Sequence, residues 1–185
     1  MKHVYQVDPN HTTVAFKAKH MMVTTVHGKF KEWAGQVEVE DANPLSAVVT
    51  GTIKAASAES GLEMRDKDVR EKILDAEHYP EITYRSTKVE SAGDHKYRVT
   101  GDLTIAGKTR PVTLDVETED EFGDVMGYQR VGFSAQGKLR RSDWGITWNY
   151  PLDGGRLLVS EEVRIEIDGA FVRKVEQTVG AGATA

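Results

Sequence analysis

The residues from Tyr97 to Glu117 restrict the fold more than any other stretch, because dry and wet side chains alternate on both sides of one short turn. Tyr97, Val99, Gly101, Leu103 and Ile105 interleave with Arg98, Thr100, Asp102 and Thr104, the period of a strand with one buried face. Ala106-Gly107-Lys108 supplies the turn, where Gly107 is free to take the positive φ that tight hairpins need. Val112, Leu114 and Val116 resume the alternation, and Pro111 sits at the start of that arm, where a missing N–H is tolerated. The stretch predicts a β-hairpin.

The same period recurs along the chain. Val14, Phe16, Ala18 and His20 share one face of a first long strand, and Val26, Gly28 and Phe30 suggest the next. Trp33-Ala34-Gly35 reads as a bend before Val37 and Val39, and Ala47, Val49, Gly51, Ile53 and Ala55 form another dry face. Ile82, Tyr84 and Ser86 alternate next, then Val131, Phe133, Ala135 and Gly137, and last Val159, Glu161, Val163, Ile165 and Ile167. One stretch departs from this period: Leu62, Val69 and Ile73 fall near one helical face, and Ser60-Gly61-Leu62-Glu63 has the form of a capping box. About eight strands and one helical insert over about 60–78 make an all-β chain, with turn signals that imply antiparallel neighbours. Long antiparallel strands lose their exposed edges when the sheet closes, so an eight-stranded antiparallel barrel is the predicted architecture.

Composition narrows the function classes. With 185 residues the chain is long enough for one sizeable core, and 39% hydrophobic residues suit a globular domain without an integral membrane segment. Residues 1–171 are expected to form that single domain and 172–185 a C-terminal tail, partly disordered. A net charge of −5 argues against a nucleic-acid partner, and the absence of cysteine removes disulfides and thiolate metal sites. Met1 to Gln6 carries no secretory signal, so a cytoplasmic location is expected for the chain as given, or a periplasmic or secreted one if it has been trimmed. The six histidines show no metal-ligand spacing, and no nucleophile elbow, phosphate loop or dinucleotide fingerprint occurs. No enzyme, cofactor or metal site is expected.

The dry faces mix sizes. Ala18, Ala47, Gly51, Ala55, Gly101, Ala135 and Gly137 stand in line with bulky residues, which leaves volume for neighbours, the helix or a ligand to fill. Glycine in a strand also marks bends at barrel corners, so a packed interior and a pocket both remain open at this point.

The order of motifs resembles the YceI-like polyisoprenoid-binding family. The matching pieces are Val7-Asp8-Pro9-Asn10-His11-Thr12-Thr13-Val14-Ala15-Phe16-Lys17-Ala18-Lys19-His20, Val26-His27-Gly28-Lys29-Phe30, Arg65-Asp66, and His78-Tyr79-Pro80-Glu81-Ile82-Thr83-Tyr84-Arg85-Ser86. The run from Val99 to Val112 through Leu103-Thr104-Ile105-Ala106-Gly107-Lys108-Thr109, then Arg141-Ser142-Asp143-Trp144-Gly145 and the strand Val159 to Ile167, complete the set. Thr12 and Ile82-Thr83-Tyr84 depart mildly from the family pattern. The resemblance implies a lipocalin-like barrel whose apolar interior holds a long polyisoprenoid, of polyprenyl or isoprenoid-quinone type, as carrier, store or sensor. The alternation offers Val14, Phe16, Ala18, Met21, Met22, Val49, Gly51, Ile53, Leu62, Ile73, Val99, Leu103, Val131 and Phe133 as the apolar lining. His20, Arg65, Arg140, Arg141 and Trp144 are the headgroup candidates. For the charged members, an ion pair between Arg65-Asp66 and the loop at Asp143 is the competing expectation, and for His20 a core histidine satisfied by a neighbour is the competing one. The alternative to a lipid site is a non-catalytic protein-interaction module with a self-filled barrel. Trp33 and the Met21-Met22 pair are candidate contacts for a homodimer.

Overall fold

The structure, a computed structural model, describes residues 1–175. Its strands are β1 Lys2–Val7, β2 Thr13–His20, β3 Thr24–Phe30, β4 Trp33–Glu40, β5 Val48–Lys54 and the short β6 Ala58–Glu59. After the helix α1, Glu63–Asp68, come β7 Glu81–Gly93, β8 Lys96–Ile105, β9 Lys108–Thr118, the short β10 Phe122–Gly123, β11 Tyr128–Arg140 and β12 Val159–Lys174. Eight of these close a ring in the order β11-β9-β8-β7-β5-β4-β1-β12, because β12 pairs with both β11 and β1. All pairings in the ring are antiparallel. The predicted eight-stranded antiparallel barrel is what the chain forms.

The hairpin from Tyr97 is β8 and β9, paired from Lys96↔Glu117 to Ile105↔Lys108. Ala106 and Gly107 both take positive φ, 48° and 73°, so the turn places a residue with a Cβ beside the expected glycine in the left-handed region. The edge of β12 is shared: Phe171 and Val172 pair with β1, whereas Val159 to Asp168 pair with β2. From β2 a branch of the sheet continues through β3 to β6, outside the ring order.

Four sequence expectations differ from the structure. Trp33-Ala34-Gly35 is not a bend but the start of β4, held by Trp33↔Ile53, Ala34↔Thr52 and Gly35↔Gly51 pairing. The helical insert is shorter than 60–78: α1 passes into a wide π turn over Val69–Ile73, and the Leu74 amide donates to the Val69 carbonyl at 2.8 Å. The capping box is absent, since Leu62 occupies the cap position, and the Ser60 amide and hydroxyl both donate to the Asp66 carboxylate instead. The tail does not begin at 172, because β12 pairs with β11 out to Tyr128↔Lys174, and the expected disorder of 176–185 lies outside the described residues.

The densest packing gathers on β7, β8, β9 and β11. Ile82, Leu103, Ile105, Val112, Leu114, Phe133 and Ala135 meet there, with Trp144 and Ile146 laid across them. Trp144 is a core residue, only 3% exposed, and its indole N–H donates to the Leu103 carbonyl at 2.9 Å. Several glycines on the dry face are covered by neighbours. A Cβ on Gly28 would fall 2.2 Å from the Phe16 ring, one on Gly101 2.5 Å from the Tyr84 ring and one on Gly137 2.6 Å from Leu114. Those small residues seat large side chains, so they do not by themselves open a pocket. Gly51 is the exception: its nearest neighbour would be the Ala34 carbonyl oxygen at 3.7 Å.

The turn between β2 and β3 is built against local preference. The Val23 amide donates to the His20 carbonyl at 3.1 Å, while Met21 and Met22 hold φ of 52° and 60°. Hairpins of this shape favour Asn-Gly, and an L-residue with a Cβ costs roughly 1–2 kcal/mol in the left-handed region. Met21, Met22 and Val23 are also exposed, at 42%, 53% and 68%.

Candidate functional site

The interior of the ring is hollow. A cavity of about 890 Å³ runs through it, lined mostly by apolar side chains of the ring strands, of β2 and β3 and of the segment around α1. That volume lies in the range of small-ligand sites. Most of the buried core residues face it, and among the described residues no large side chain is less than 2% exposed. The barrel is therefore not filled by its own side chains.

The expected lining is mostly on this wall. Val14, Phe16, Ala18, Val49, Gly51, Ile53, Leu62, Ile73, Val99, Leu103, Val131 and Phe133 all border the cavity. Met21 and Met22 do not; the turn described above points them into solvent beyond the end of β2. Sequence alternation missed other wall residues. Leu114, Val116, Val163, Ile165 and Ile167 have the right period for a strand, but the period alone does not assign them to the cavity. Trp33 was hidden by the false bend, Phe171 lay at the edge of the predicted tail, and Trp148 sits in an irregular loop with no periodic signal. Tyr84 is both wall and cover: its ring lies over Gly101 and its hydroxyl donates to the Val99 carbonyl at 3.2 Å. Burial, with a contribution from the Asp102 charge, pushes its phenol up to about 12, so it stays neutral.

Antiparallel register gives the cavity two chemically different ends. Where β9 finishes and β11 begins, Glu119, Asp120 and Glu121 line the wall with His95 and Tyr5. Tyr5 donates to Glu121 at 2.7 Å and accepts from Arg173 at 3.0 Å. Burial first and the Glu121 carboxylate second raise the Tyr5 phenol above its ordinary value. At the other end, where β2 finishes and β12 begins, Lys19, His20 and Arg65 line the wall with Leu62, Met64, Trp148 and Leu158. Lys72 braces this end, 2.6 Å from Asp68 and 5.4 Å from the Trp148 ring centre.

The five headgroup candidates separate. His20 and Arg65 come to this second end together. Arg65 is steadied by Ser60, donating from Nε to the hydroxyl at 2.7 Å and from Nη2 to the carbonyl at 3.0 Å, and it makes no ion pair with Asp143. Arg140 is exposed and lies off the cavity wall. Arg141 borders the cavity but is 2% exposed, and its guanidinium is spent on the carbonyls of Ser160 at 3.0 Å and Trp148 at 2.7 Å. Burial pulls its pKa down, partly offset by Glu161 at 3.9 Å. It is a clamp for the loop between β11 and β12. Trp144, as described, is core.

A closed eight-stranded antiparallel barrel with a through-running apolar cavity defines a lipocalin-like binding barrel. Residues 5–171 match the YceI-like domain, and the chain belongs to that family. Among its relatives, the UPF0312 protein plu2095 of Photorhabdus laumondii is 36% identical over 168 residues, covering 89% of this chain and 85% of the relative. Protein YceI of Salmonella newport is 32% identical over 168 residues, covering 89% and 85%. The crystal structure of Burkholderia cenocepacia BcnA superposes with a TM-score of 0.75 at 30% identity, covering 91% of this chain and 99% of that one. A polyisoprenoid binding domain from Saccharophagus degradans, implicated in plant cell wall breakdown, superposes with a TM-score of 0.63 at 13% identity, covering 92% and 98%. That last likeness carries the fold.

Proposed function

We propose that this barrel holds one long polyisoprenoid, of polyprenyl or isoprenoid-quinone type, along its cavity, and serves as a non-catalytic carrier, store or sensor of that lipid. The observation that carries the reading is the cavity itself: about 890 Å³, predominantly apolar along its length, with its charged groups at the ends. A flexible, methyl-branched chain suits such a wall, since each buried methylene contributes about 0.8 kcal/mol without any polar contact. The Saccharophagus degradans domain of the same fold is described as polyisoprenoid-binding, and membership in the YceI-like family supports the same ligand class. His20 and Arg65 are the polar groups proposed to meet the headgroup, because Arg140 lies outside and Arg141 and Trp144 are committed to backbone carbonyls.

The test is mass spectrometry of an organic extract of the purified protein. A long-chain isoprenoid at about one per chain is the expected result. An extract free of isoprenoid, together with no uptake of added polyprenyl chains by the extracted protein, refutes it.

A further inference from the structure

We propose that the barrel docks on an anionic phospholipid bilayer through the end that carries the β2–β3 turn, with the cavity mouth facing the membrane. This inference rests on the lipid-cavity reading above, because a chain passing between a bilayer and the barrel must avoid water. Three observations meet at this end.

The first is apolar exposure around the mouth. Met21, Met22 and Val23 cap the β2–β3 hairpin, and Met21 is joined to the loop before β12 by its amide, which donates to the Leu158 carbonyl at 2.9 Å. Leu157 in that loop is exposed, as are Leu62 and Met64 beside the cavity, Met64 at 75%. Leu62, Met64 and Leu158 line the mouth, so the apolar rim is continuous with the cavity wall. Isolated exposed apolar residues need no explanation, but a rim contiguous with an apolar cavity marks an interaction site.

The second is charge. Lys19, Arg65, Lys67 and Arg156 stand at this end, and among the described residues none forms an ion pair. Of the acids nearby, Glu63 is paired with Arg70 and Asp68 with Lys72, while Glu71, Asp143 and Asp153 are the exposed counter-charges. The far end has the opposite sign, with Glu119, Asp120 and Glu121 at the cavity. It also exposes Phe122, Val125 and Met126, yet an anionic surface repels its carboxylates. Lys174 stands beside Met126 at that end too, but the cavity rim there is carboxylate, whereas at the β2–β3 end Lys19 and Arg65 stand on the apolar rim itself, the combination that binds an anionic interface.

The third is the strained turn. Two methionines in left-handed backbone are disfavoured where Asn-Gly is the ready solution, and exposure adds to the penalty. Insertion of the flexible apolar side chains into the acyl boundary removes the exposure cost and offsets the backbone strain.

The experiment is co-sedimentation with phosphatidylcholine vesicles, with and without phosphatidylglycerol, on the full chain. Binding is expected to the phosphatidylglycerol vesicles, falling as salt is raised. The double variant Met21→Asn/Met22→Gly installs the favoured turn residues, so it should match or exceed the parent in Tm and yet lose at least about tenfold in vesicle binding. Phe122→Ser/Met126→Ser, at the acidic end, should bind as the parent does. Retained binding in the turn variant, or loss in the acidic-end variant, overturns the proposal. Assaying the same preparation for bound isoprenoid separates the two readings. A loaded protein that ignores anionic vesicles overturns docking alone, whereas a vesicle-binding protein that neither holds nor takes up isoprenoid overturns the ligand reading.

Discussion

Gly51 gives the most direct test of where a chain would lie. Its Cα faces the cavity from the middle of β5, opposite Gly35 on β4, so bare backbone forms the wall there. A Cβ at this position meets nothing nearer than 3.7 Å, and a leucine side chain can extend into open space. Leucine adds about four carbons, which displace about four methylene-sized groups of ligand. At about 0.8 kcal/mol each the loss is about 3 kcal/mol, or about two hundredfold in affinity. The fold should not suffer, because glycine in a strand is itself unfavourable by roughly 0.5–1 kcal/mol. The matched control is Gly101→Leu on the hairpin, where a Cβ would sit 2.6 Å from the Arg85 carbonyl oxygen, a backbone atom that cannot swing away. Overpacking of that kind costs about 1–3 kcal/mol, lowering Tm by about 2–12 °C for a chain of this length. Binding is read by titrating lipid-free protein with a polyprenyl chain and following tryptophan fluorescence, since Trp33 and Trp148 line the cavity. Thermal melts report the fold. Unchanged affinity in a fully folded Gly51→Leu protein would mean that no ligand occupies the wall between β4 and β5.

Two other predictions concern what holds the barrel together. Arg141→Met keeps the side-chain length but leaves the Ser160 and Trp148 carbonyls without their donor, so stability should fall by about 3 kcal/mol, seen as a Tm lower by about 6–12 °C; an unchanged melt would show that the loop does not depend on the clamp. The Asp8 carboxyl is pushed up by its burial, but hydrogen bonds from Arg130, His11 and the Asn10 amide outweigh that and hold it at about 2, below its ordinary 3.8. Because the folded pKa is depressed, the stabilisation is complete above about pH 4 and is lost as pH falls toward 2. Parent protein should therefore melt above Asp8→Asn at neutral pH, with the gap closing in that acid window; a gap that stays constant with pH counts against the charge pairing.

The strands were legible because one face of nearly every strand meets the same dry interior, which writes a period of two directly into the sequence. The π turn was not, since the i, i+7, i+11 spacing of Leu62, Val69 and Ile73 carries no mark of a widened turn. Ser60 was misread for a related reason: its spacing to Glu63 fits a cap, but the carboxylate that reaches it is Asp66, through a bend that spacing does not show. Among the cavity residues, those in register on long strands could be inferred, whereas Trp148 depends on the path of an irregular loop. The headgroup candidates divided on a distinction that residue type hides. Arg65 and Arg141 are both arginines near the cavity, but the shell around Arg141 consists of carbonyls from the start of β12 and from the loop before it, brought together only in the folded chain.

The pairing of β12 sets the order in which the protein can assemble. β12 is made after every other strand of the ring, yet it pairs with β1 and β2 at one edge and with β11 along Tyr128↔Lys174 to Arg140↔Glu162 at the other. Until it emerges, the first hairpin has one unpaired edge and the ring stands open. At roughly 5–20 residues per second, translation leaves that edge exposed for on the order of ten seconds. Contacts that span the chain also make closure slow. The lipid-sized interior exists only after this last step, so a nascent chain has the strands of the barrel well before it has a place to put a ligand.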